Sequence, residues 1–396
     1  MEPHGTEAQG GVAMRTVGLV GGGQLARMML QAASRLGVDV RVLASPTDES
    51  APSVWPVVDI GDPCDPSVLD AFSRTCDVVT FDHENIDPEV IDALARLGRV
   101  VRPGASSFRL CDKAAQRTQL TTLGFAVPPF TVCSNVDEIT AFARAHGGWP
   151  VVAKTPRGGY DGRGVHWLDG EEQALVALAL AGPDARLLIE PALAVDRELA
   201  VLVARRPGGD HVVYPVVETF QRDGTCRITL APAAIEPTLA CEASSIAAEL
   251  AELIDVVGVL AVEFFVVNGS LLVNEIAPRP HNSGHFSIEG CVTSQFENHL
   301  RAVLDWPLGS TQLTAPAVAT VNVFGDDRGS DPRSFVGRAL EVQGVHVHLY
   351  GKTPRPGRKL GHVTACDDDA ATALARAARA AGVLDVGGVA FGCAAR

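Results

Sequence analysis

The chain has 396 residues, 46% of them hydrophobic and 20% charged, and a formal net charge of −14. This composition is typical of a globular protein with a large core, and the length suits two or three domains. The acidic balance argues against nucleic-acid binding, although local basic pockets can still hold small anions. No apolar run is long enough to cross a bilayer, so no membrane-embedded part is predicted.

The cysteines and the N-terminus indicate the compartment. Nine scattered cysteines without a C-x-x-C pair suit neither a disulfide framework nor a zinc site. Their number and spacing favour a reducing environment. Residues 1–14 have no apolar core and are interpreted as a disordered tail rather than a signal peptide. We therefore expect a soluble, cytoplasmic protein.

The first region, residues 15–111, alternates strands with helices. A strand at Thr16–Val20 runs into three glycines, and a helix with one apolar face follows until Gly37 ends it. The later elements are predicted at Val38–Leu43, Val78–Phe81 and Arg99–Arg102 (strands) and at Pro88–Leu97 (a helix). This alternation predicts a parallel sheet with helices on both faces.

The glycines of this region also match G-x-G-x-x-A, the dinucleotide-binding fingerprint, through Gly21, Gly23 and Ala26. A nicotinamide site needs an acid at the end of the second strand, and here Asp48 and Glu49 come too late. Two other interpretations stay open. The helix N-terminus suits a single phosphate, or the glycines serve only tight packing of strand against helix.

A second region starts with a helix from Lys113 to about Leu123. Strands at Trp149–Thr155 and Val165–Leu168 enclose a segment with four glycines, which predicts a mobile flap whose backbone amides can approach phosphates. Lys154 precedes this flap and is either a phosphate ligand or a lysine that reaches to solvent. The segment is not a Walker A loop, because the G-K-[ST] ending is absent. Further elements are predicted at Glu171–Leu180 and Cys241–Val257 (helices) and at Arg186–Glu190, Glu198–Val203 and His211–Val217 (strands).

The stretch from 262 to 285 is predicted to open with a β-hairpin that turns at Asn268-Gly269. Its apolar arms carry Glu263 and the pair Asn274-Glu275. A two-residue loop sets Asn274 opposite Glu263, whereas a bulge sets Glu275 there. Two carboxylates close together repel, so this pattern favours Mg²⁺ that also holds substrate phosphates. The alternative is one acid on a solvated face and another at a strand end.

A third region contains short strands and an alanine-rich helix. The strands are predicted at Val318–Phe324, Val345–Tyr350, Gly361–Ala365 and Val389–Phe391, and the helix at Asp369–Ala381. The loop from Thr353 to Lys359 is basic, since it contains Arg355, Arg358 and Lys359 and follows Lys352. This loop is either a solvated turn or an anion site.

Four short segments, taken in their order along the chain, carry a resemblance to a known group of enzymes. They are GGGQLARMM at 21–29, GGYDGRG at 158–164, NEIAPRPHNSGH at 274–285 and RPGRKLGH at 355–362. In this order, from about residue 15 to residue 365, they resemble the ATP-grasp enzymes. Within that superfamily, the last two segments resemble the family of N5-carboxyaminoimidazole ribonucleotide synthases of purine biosynthesis.

The resemblance implies an α/β fold that is α+β in its ATP-binding part. It implies an N-terminal Rossmann-like pre-ATP-grasp domain at 15–111 and an ATP-grasp domain at 112–306, whose flap subdomain spans about 125–190. A small β-rich C-terminal domain at 307–396 follows. The implied reaction carboxylates aminoimidazole ribonucleotide with bicarbonate and ATP through carboxyphosphate, with Mg²⁺ or Mn²⁺, in a homodimer. The alternatives are a formate-dependent phosphoribosylglycinamide formyltransferase, an NAD-binding oxidoreductase or a non-catalytic nucleotide-binding protein.

The resemblance also implies roles for individual residues. The ATP-site residues are Lys113, Lys154, Gly159, Tyr160, Asp161, Gly162, Arg163, Gly164, Glu190, Pro191, Ala192, Leu193, Glu198, Gln221, Asn274 and Glu275. The ribonucleotide and bicarbonate residues are Gly23, Gln24, Leu25, Glu84, Asn85, Tyr160, Arg163, Asn282, His285, Lys352 and Arg358. Glu263 and Glu275 would hold the metal. The catalytic residues would be Asp161, Arg279 and His285, with Asp161 or His285 as general base.

Three positions depart from the family's pattern. Ala192 replaces a bulkier apolar residue beside the adenine, and Gln221 stands where many relatives carry histidine. Asp82 shortens one acid of the T-x-E-x-E-N pattern.

Overall fold

The computed structural model describes residues 15–158, 164–182, 186–222 and 224–385. The elements of its first region are β1 (Val17–Val20), α1 (Gln24–Leu36), β2 (Val40–Ala44), β3 (Val58–Ile60), α2 (Pro66–Ser73), β4 (Val78–Phe81), α3 (Pro88–Arg96) and α4 (Ala105–Arg109). The strands form a parallel sheet in the order β3-β2-β1-β4, as the alternation of strands and helices predicted.

Helix α1 buries the apolar face that its sequence pattern predicts, and Gly37 ends it in the left-handed conformation at φ 67°. The prediction of a strand at Arg99–Arg102 is wrong, because the structure has only a single β-bridge there, between Val79 and Val101. The short edge strand β3 was not predicted, since three residues show no alternation.

The second region begins with α5 (Lys113–Thr122), β5 (Thr131–Cys133), α6 (Val136–Ala145), β6 (Val151–Lys154), β7 (Val165–Leu168), α7 (Glu171–Ala181) and β8 (Leu187–Pro191). Its strands form a small antiparallel sheet in the order β5-β8-β6-β7. Strands β6 and β7 form the predicted hairpin, in which Lys154 pairs with Val165. The glycine-rich tip, 159–163, lies outside the described residues.

The rest of the second region builds most of a large antiparallel sheet. The single strand expected at His211–Val217 is two strands, and the helix expected at Cys241–Val257 runs from Pro237 to Leu253. The elements are β9 (Arg197–Arg205), β10 (His211–Val213), β11 (Val217–Arg222), β12 (Thr225–Ala231), α8 (Pro237–Leu253), β13 (Gly258–Val267), β14 (Ser270–Ala277), a 3-10 turn (Asn282–Gly284), α9 (Ser287–Gly290) and α10 (Gln295–Val303).

The third region contains β15 (Ala317–Phe324), a 3-10 turn (Pro332–Phe335), α11 (Val336–Ala339), β16 (Val345–Leu349), β17 (Lys359–Asp367) and α12 (Ala370–Leu384). Its strands continue the large sheet, whose order is β14-β13-β9-β11-β12-β15-β17-β16, with β10 also paired to β9. The second and third regions join where β12 pairs with β15. The strand predicted at Val389–Phe391 and the tail at 1–14 lie outside the described residues. None of the described helices is both long and apolar enough to span a membrane.

Candidate active site

The predicted hairpin is formed by β13 and β14 and turns at Asn268-Gly269, where both residues have positive φ. A bulge between Glu263 and Phe264 skips Asn274 and places Glu275 opposite Glu263. This register selects the second of the two arrangements that the sequence allowed. The two carboxylates therefore face the same side of the sheet on neighbouring strands.

The two acids differ in how they are neutralised. Burial, the Glu275 charge and the Glu198 charge together raise the pKa of Glu263 to about 8. Burial also acts on Glu275, but Lys113 outweighs it and lowers the pKa of that carboxyl. The Lys113 Nζ lies 2.6 Å from Glu275 Oε1. The nearby cations thus only partly offset the burial and the like charges that destabilise the ionised form of Glu263, as expected where a divalent cation would bind.

A second set of charges surrounds Lys154 at the end of β6. Its Nζ lies 2.7 Å from Glu190 Oε2 and donates to Asn274 Oδ1 at 3.2 Å. Arg117, on α5, holds the same two groups, with Nε 2.6 Å from Glu190 Oε1 and Nη2 3.3 Å from Asn274 Oδ1. Lys154 is buried, so the interpretation as a lysine that reaches to solvent is wrong.

Burial and ion pairing oppose each other in the electrostatics of this set. It lowers the pKa of Lys154, partly against the attraction of Glu190. Burial alone would raise the pKa of Glu190, but Lys154 and Arg117 outweigh it and the pKa is lowered. The Glu190 side chain is therefore a buried counter-ion of two cations. Residues 190–193 were expected beside the adenine, but the Glu190 side chain contacts these two cations instead. Pro191, Ala192 and Leu193, which follow it, are partly buried.

Glu198 and Gln221 lie next to each other on β9 and β11. Burial raises the pKa of Glu198 to about 7, against a hydrogen bond with Gln221 and the charge of Lys154. The tertiary structure thus brings two residues expected near the nucleotide into contact, including the one that departs from the family's pattern.

The hairpin tail, residues 278–285 directly after β14, brings three further groups to this edge of the sheet. The Arg279 Nε lies 2.9 Å from Glu84 Oε1 of the first region. Asn282 and Asn322 exchange two amide hydrogen bonds, of 3.0 and 2.8 Å. His281, which the sequence did not single out, has its Nε2 3.8 Å from Glu263 Oε1. Its position inside the NEIAPRPHNSGH segment was the available signal.

His285, the last residue of this tail, is fully buried. Its Nδ1 lies 3.2 Å from Gln295 Nε2, and its Nε2 has no hydrogen-bond partner among the described residues. Burial, together with Lys359 and other nearby cations, lowers the pKa of His285 well below the usual range. The imidazole is therefore neutral.

The glycine cluster before α1 is occupied by the protein's own carboxylates. Asp82 Oδ2 accepts from Gly23 N at 2.7 Å and from Ala26 N at 3.4 Å. A Cβ on Gly21 would lie 1.7 Å from Asp82 Oδ1, so glycine is required for this close approach. Asp82 thus engages the amides of Gly23 and Ala26, which supports the interpretation that the glycines serve tight packing of strand against helix and argues against a dinucleotide pyrophosphate there. A phosphate at the remaining amides of this helix N-terminus stays a prediction.

Two basic residues of the third region contact the first region. Lys352 Nζ donates to Gln24 Oε1. Arg358 Nη1 lies 2.9 Å from Glu49 Oε2, which also accepts from Thr353 N at 2.6 Å. The Thr353 amide is the largest cause that lowers the pKa of Glu49, and burial opposes it. Glu49, which seemed too late in the chain for a ribose, instead holds this loop.

Two expected substrate residues have no side-chain contact with the groups described above, and their role stays a prediction. Leu25 is buried in the core with Met28 and Met29, so its side chain is unavailable to a ligand. Asn85 is exposed, and its backbone contacts His83 and Cys64. Of the flap residues, only Gly164 is described, and its carbonyl accepts from Thr155 N at 2.8 Å. The others lie outside the described residues, namely Gly159, Tyr160, Asp161, Gly162 and Arg163.

Within the described residues, no group of three or more His, Cys, Asp or Glu side chains is arranged to hold a metal. A cation held by the carboxylate pair would therefore need further ligands from outside this set of side chains. Mg²⁺ behaves in this way, since it is commonly bound by one or two carboxylates together with substrate phosphates and water. The donor set fits that ion.

Three family models match the chain in succession. The ribonucleotide synthetase preATP-grasp domain matches residues 14–112, the ATP-grasp domain matches 118–296, and the phosphoribosylaminoimidazole carboxylase C-terminal domain matches 319–376. The predicted three-part fold is confirmed. The exact boundaries at 111/112 and 306/307 stay predictions.

Curated relatives and solved structures agree with these matches. The chain is 44% identical over 383 residues to N5-carboxyaminoimidazole ribonucleotide synthase of Mycobacterium tuberculosis (strain ATCC 25618 / H37Rv), covering 94% of this chain and 88% of the relative. The structure of N5-carboxyaminoimidazole ribonucleotide synthetase from Thermus thermophilus is 37% identical, with a TM-score of 0.82 and coverage of 93% and 98%. The Aspergillus clavatus enzyme, in complex with ADP and 5-aminoimidazole ribonucleotide, is 30% identical, with a TM-score of 0.85 and coverage of 94% and 99%. The chain belongs to the N5-carboxyaminoimidazole ribonucleotide synthase family of ATP-grasp enzymes.

Proposed function

We propose that this chain carboxylates 5-aminoimidazole ribonucleotide with bicarbonate and ATP, giving N5-carboxyaminoimidazole ribonucleotide, ADP and phosphate in purine biosynthesis. The observation that carries the proposal is the convergence of Lys113 and Lys154 on the hairpin that bears Glu263 and Glu275. The Arg279–Glu84 contact joins that hairpin to the first region. The Aspergillus clavatus relative, whose complex holds both ADP and aminoimidazole ribonucleotide, supports the same substrates here.

The chemistry has two stages. A bicarbonate oxygen attacks the γ-phosphorus of ATP, and the bond to the β-phosphate oxygen breaks, which gives carboxyphosphate and ADP. The amine of the ribonucleotide then attacks the carboxyphosphate carbon, loses a proton and releases phosphate. Phosphoryl transfer depends mainly on positioning and charge neutralisation, and Lys113, Lys154 and Arg279 supply cations for it.

Glu263 and Glu275 are the residues that would hold Mg²⁺. The raised pKa of Glu263, which burial and the facing Glu275 cause, is the feature that a divalent cation would relieve. When bound, Mg²⁺ neutralises charge on the phosphates, and Mn²⁺ can do the same. Asn274 keeps its amide oxygen on Lys154 and Arg117, so it orients the lysine beside this site.

The ribonucleotide phosphate would lie at the basic loop. Lys352 and Arg358 face the first region there, where Gln24 and Glu49 hold their side chains. Two preoriented cations suit an anionic group better than two flexible ones, since less side-chain entropy is lost on binding. The flap residues Tyr160, Asp161 and Arg163 would complete this side, as the family resemblance implies.

A homodimer and a cytoplasmic location also belong to the proposal. The dimer rests on the family resemblance, and light scattering during gel filtration would test it, with a monomer mass as the contrary result. The location rests on cysteine usage, because the eight cysteines of the described residues are all free thiols.

The decisive test is an ADP-release assay in which each substrate is omitted in turn. We expect ADP only when ATP, bicarbonate and aminoimidazole ribonucleotide are all present with Mg²⁺. ADP release with formate and glycinamide ribonucleotide would replace the proposal with the formyltransferase reaction. No ADP under either condition would indicate a non-catalytic member of the family.

A further inference from the structure

Gln295, the first residue of α10, has a fully buried side chain that contacts the hairpin tail at three points. Its Oε1 accepts from His281 N at 2.8 Å, and its Nε2 donates to His281 O at 2.7 Å. Because a backbone N–H only donates and a backbone carbonyl only accepts, these two contacts fix which end of the amide is oxygen and which is nitrogen.

The third contact then locates a proton. The Gln295 Nε2 lies 3.2 Å from His285 Nδ1. An amide nitrogen can only donate, so His285 Nδ1 must offer its lone pair. The proton of the neutral ring is then on Nε2.

The turn itself is tied to the same helix. Gln295 N donates to Ser287 Oγ at 2.9 Å, and Ser287 Oγ donates to Gly284 O at 2.6 Å. Gly284 packs directly on the amide, since an added Cβ would lie 2.5 Å from Gln295 Oε1. The chain from His281 to His285 therefore has little freedom to turn either histidine.

We propose that Gln295 is a positioning residue that holds the turn from His281 to His285 and fixes His285 as the neutral tautomer with its proton on Nε2. The only lone pair of the ring is engaged by the amide, so His285 can donate a hydrogen bond but cannot accept the amine's proton. One of the two general bases that the family resemblance offered is thereby removed. The kinetic part of this inference rests on the proposed function, whereas the tautomer does not.

The test is a long-range ¹H–¹⁵N correlation spectrum of the full-length chain labelled with ¹⁵N-histidine, recorded without substrates. The His285 signals are identified by their loss in His285→Gln. We expect an unprotonated Nδ1 and a protonated Nε2 in the wild type at neutral pH. A protonated Nδ1, alone or in an imidazolium ion, would overturn the proposal, whether or not the protein turns over the proposed substrates.

The variant Gln295→Glu keeps the size of the side chain but removes both donors. We expect the His285 proton to move to Nδ1, while the KM for ATP stays unchanged. We expect the kcat of aminoimidazole-dependent ADP release to fall on the order of tenfold, by analogy with hydrogen-bond partners that orient metal-bound histidines, whose loss costs about 10- to 100-fold. An unchanged His285 spectrum in this variant would also overturn the proposal.

Asn298→Asp is the matched control. Asn298 is on the same helix and equally buried, but its amide contacts Tyr214 Oη and the Gly309 backbone, away from the tail. We expect Asn298→Asp to lower the free energy of unfolding without changing the His285 signals or kcat. If both variants lower kcat equally and only in proportion to lost stability, Gln295 has a structural role and the proposal fails.

Discussion

Glu263 and Glu275 lie opposite each other on β13 and β14 because Asn274 is skipped by a bulge in their pairing. Facing carboxylates repel, so the Glu263–Glu275 pair does not itself stabilise the hairpin. The same bulge frees the Asn274 side chain to accept hydrogen bonds from Lys154 and Arg117. One irregularity of the backbone thus places both the acids and the amide that orients a lysine, which is a common use of bulges near active sites.

The carboxylate pair should be needed for metal binding. Glu263→Gln and Glu275→Gln should each lower kcat/KM for ATP on the order of a hundredfold. Each variant loses a ligand of Mg²⁺, and with it the positive charge that the cation would hold at the transferred phosphoryl group. Chelation should abolish ADP release, and Mn²⁺ should restore it in the wild type. Electron paramagnetic resonance of Mn²⁺ in the presence of ADP measures binding directly. Unchanged Mn²⁺ affinity in both variants would contradict this assignment.

Arg117 should matter for both stability and ATP binding. In Arg117→Met, Glu190 keeps only Lys154 as a buried counter-ion, so we expect the free energy of unfolding to fall by about 3 kcal/mol, as is usual when one partner of a buried pair is removed. The KM for ATP should rise, because Lys154 and Asn274 lose a common anchor. Urea unfolding and initial rates measure the two effects.

Arg41→Met is the comparison for Arg117→Met. Arg41 pairs with Asp59 at 2.9 Å, but the two side chains are 36% and 45% exposed. Exposed pairs contribute less than about 1 kcal/mol. If Arg117→Met and Arg41→Met lower the free energy of unfolding equally, burial does not make the Arg117 ion pair more important for stability than an exposed pair.

Lys352→Met should separate the two substrates. We expect the KM for aminoimidazole ribonucleotide to rise on the order of tenfold, since a charge-assisted contact to an anion is lost, while the KM for ATP stays the same. Arg333→Met is the control, because Arg333 is exposed and pairs only with Asp331 among the described residues. A rise in the KM for ATP alone would place the basic loop at the wrong substrate.

His299 should make stability depend on pH. Burial lowers the pKa of His299 from 6.5 to about 3, and its ring accepts from Val259 N and donates to Thr80 Oγ1. Between these pKa values the unfolded chain binds a proton that the folded chain does not, so the free energy of unfolding falls as pH falls below about 6.5. The loss should reach about 2 kcal/mol at about pH 5.

The variant His299→Gln isolates this effect, because glutamine can accept and donate in the same directions but does not titrate. Urea unfolding at about pH 7 and at about pH 5 should show a smaller pH-dependent loss in the variant than in the wild type. Equal losses would assign the acid sensitivity to other groups.

The sequence by itself determined the features that depend on neighbouring residues. The turn at Asn268-Gly269, the end of α1 at Gly37 and the position of Lys154 at the end of β6 all follow from local conformational preference and from the spacing of apolar residues. The succession of strands and helices also predicted the parallel first sheet.

Only the tertiary structure decided which partner each polar group has. Asp82 occupies the amides before α1, Glu190 is a counter-ion of Lys154 and Arg117, and Leu25 belongs to the core. Such contacts join segments that lie far apart in the chain, whereas periodicity reports only the face on which a residue lies. The sequence does not show whether a given Asp or Glu binds a metal, a lysine or a backbone amide. Its burial and its neighbours in the folded chain determine that.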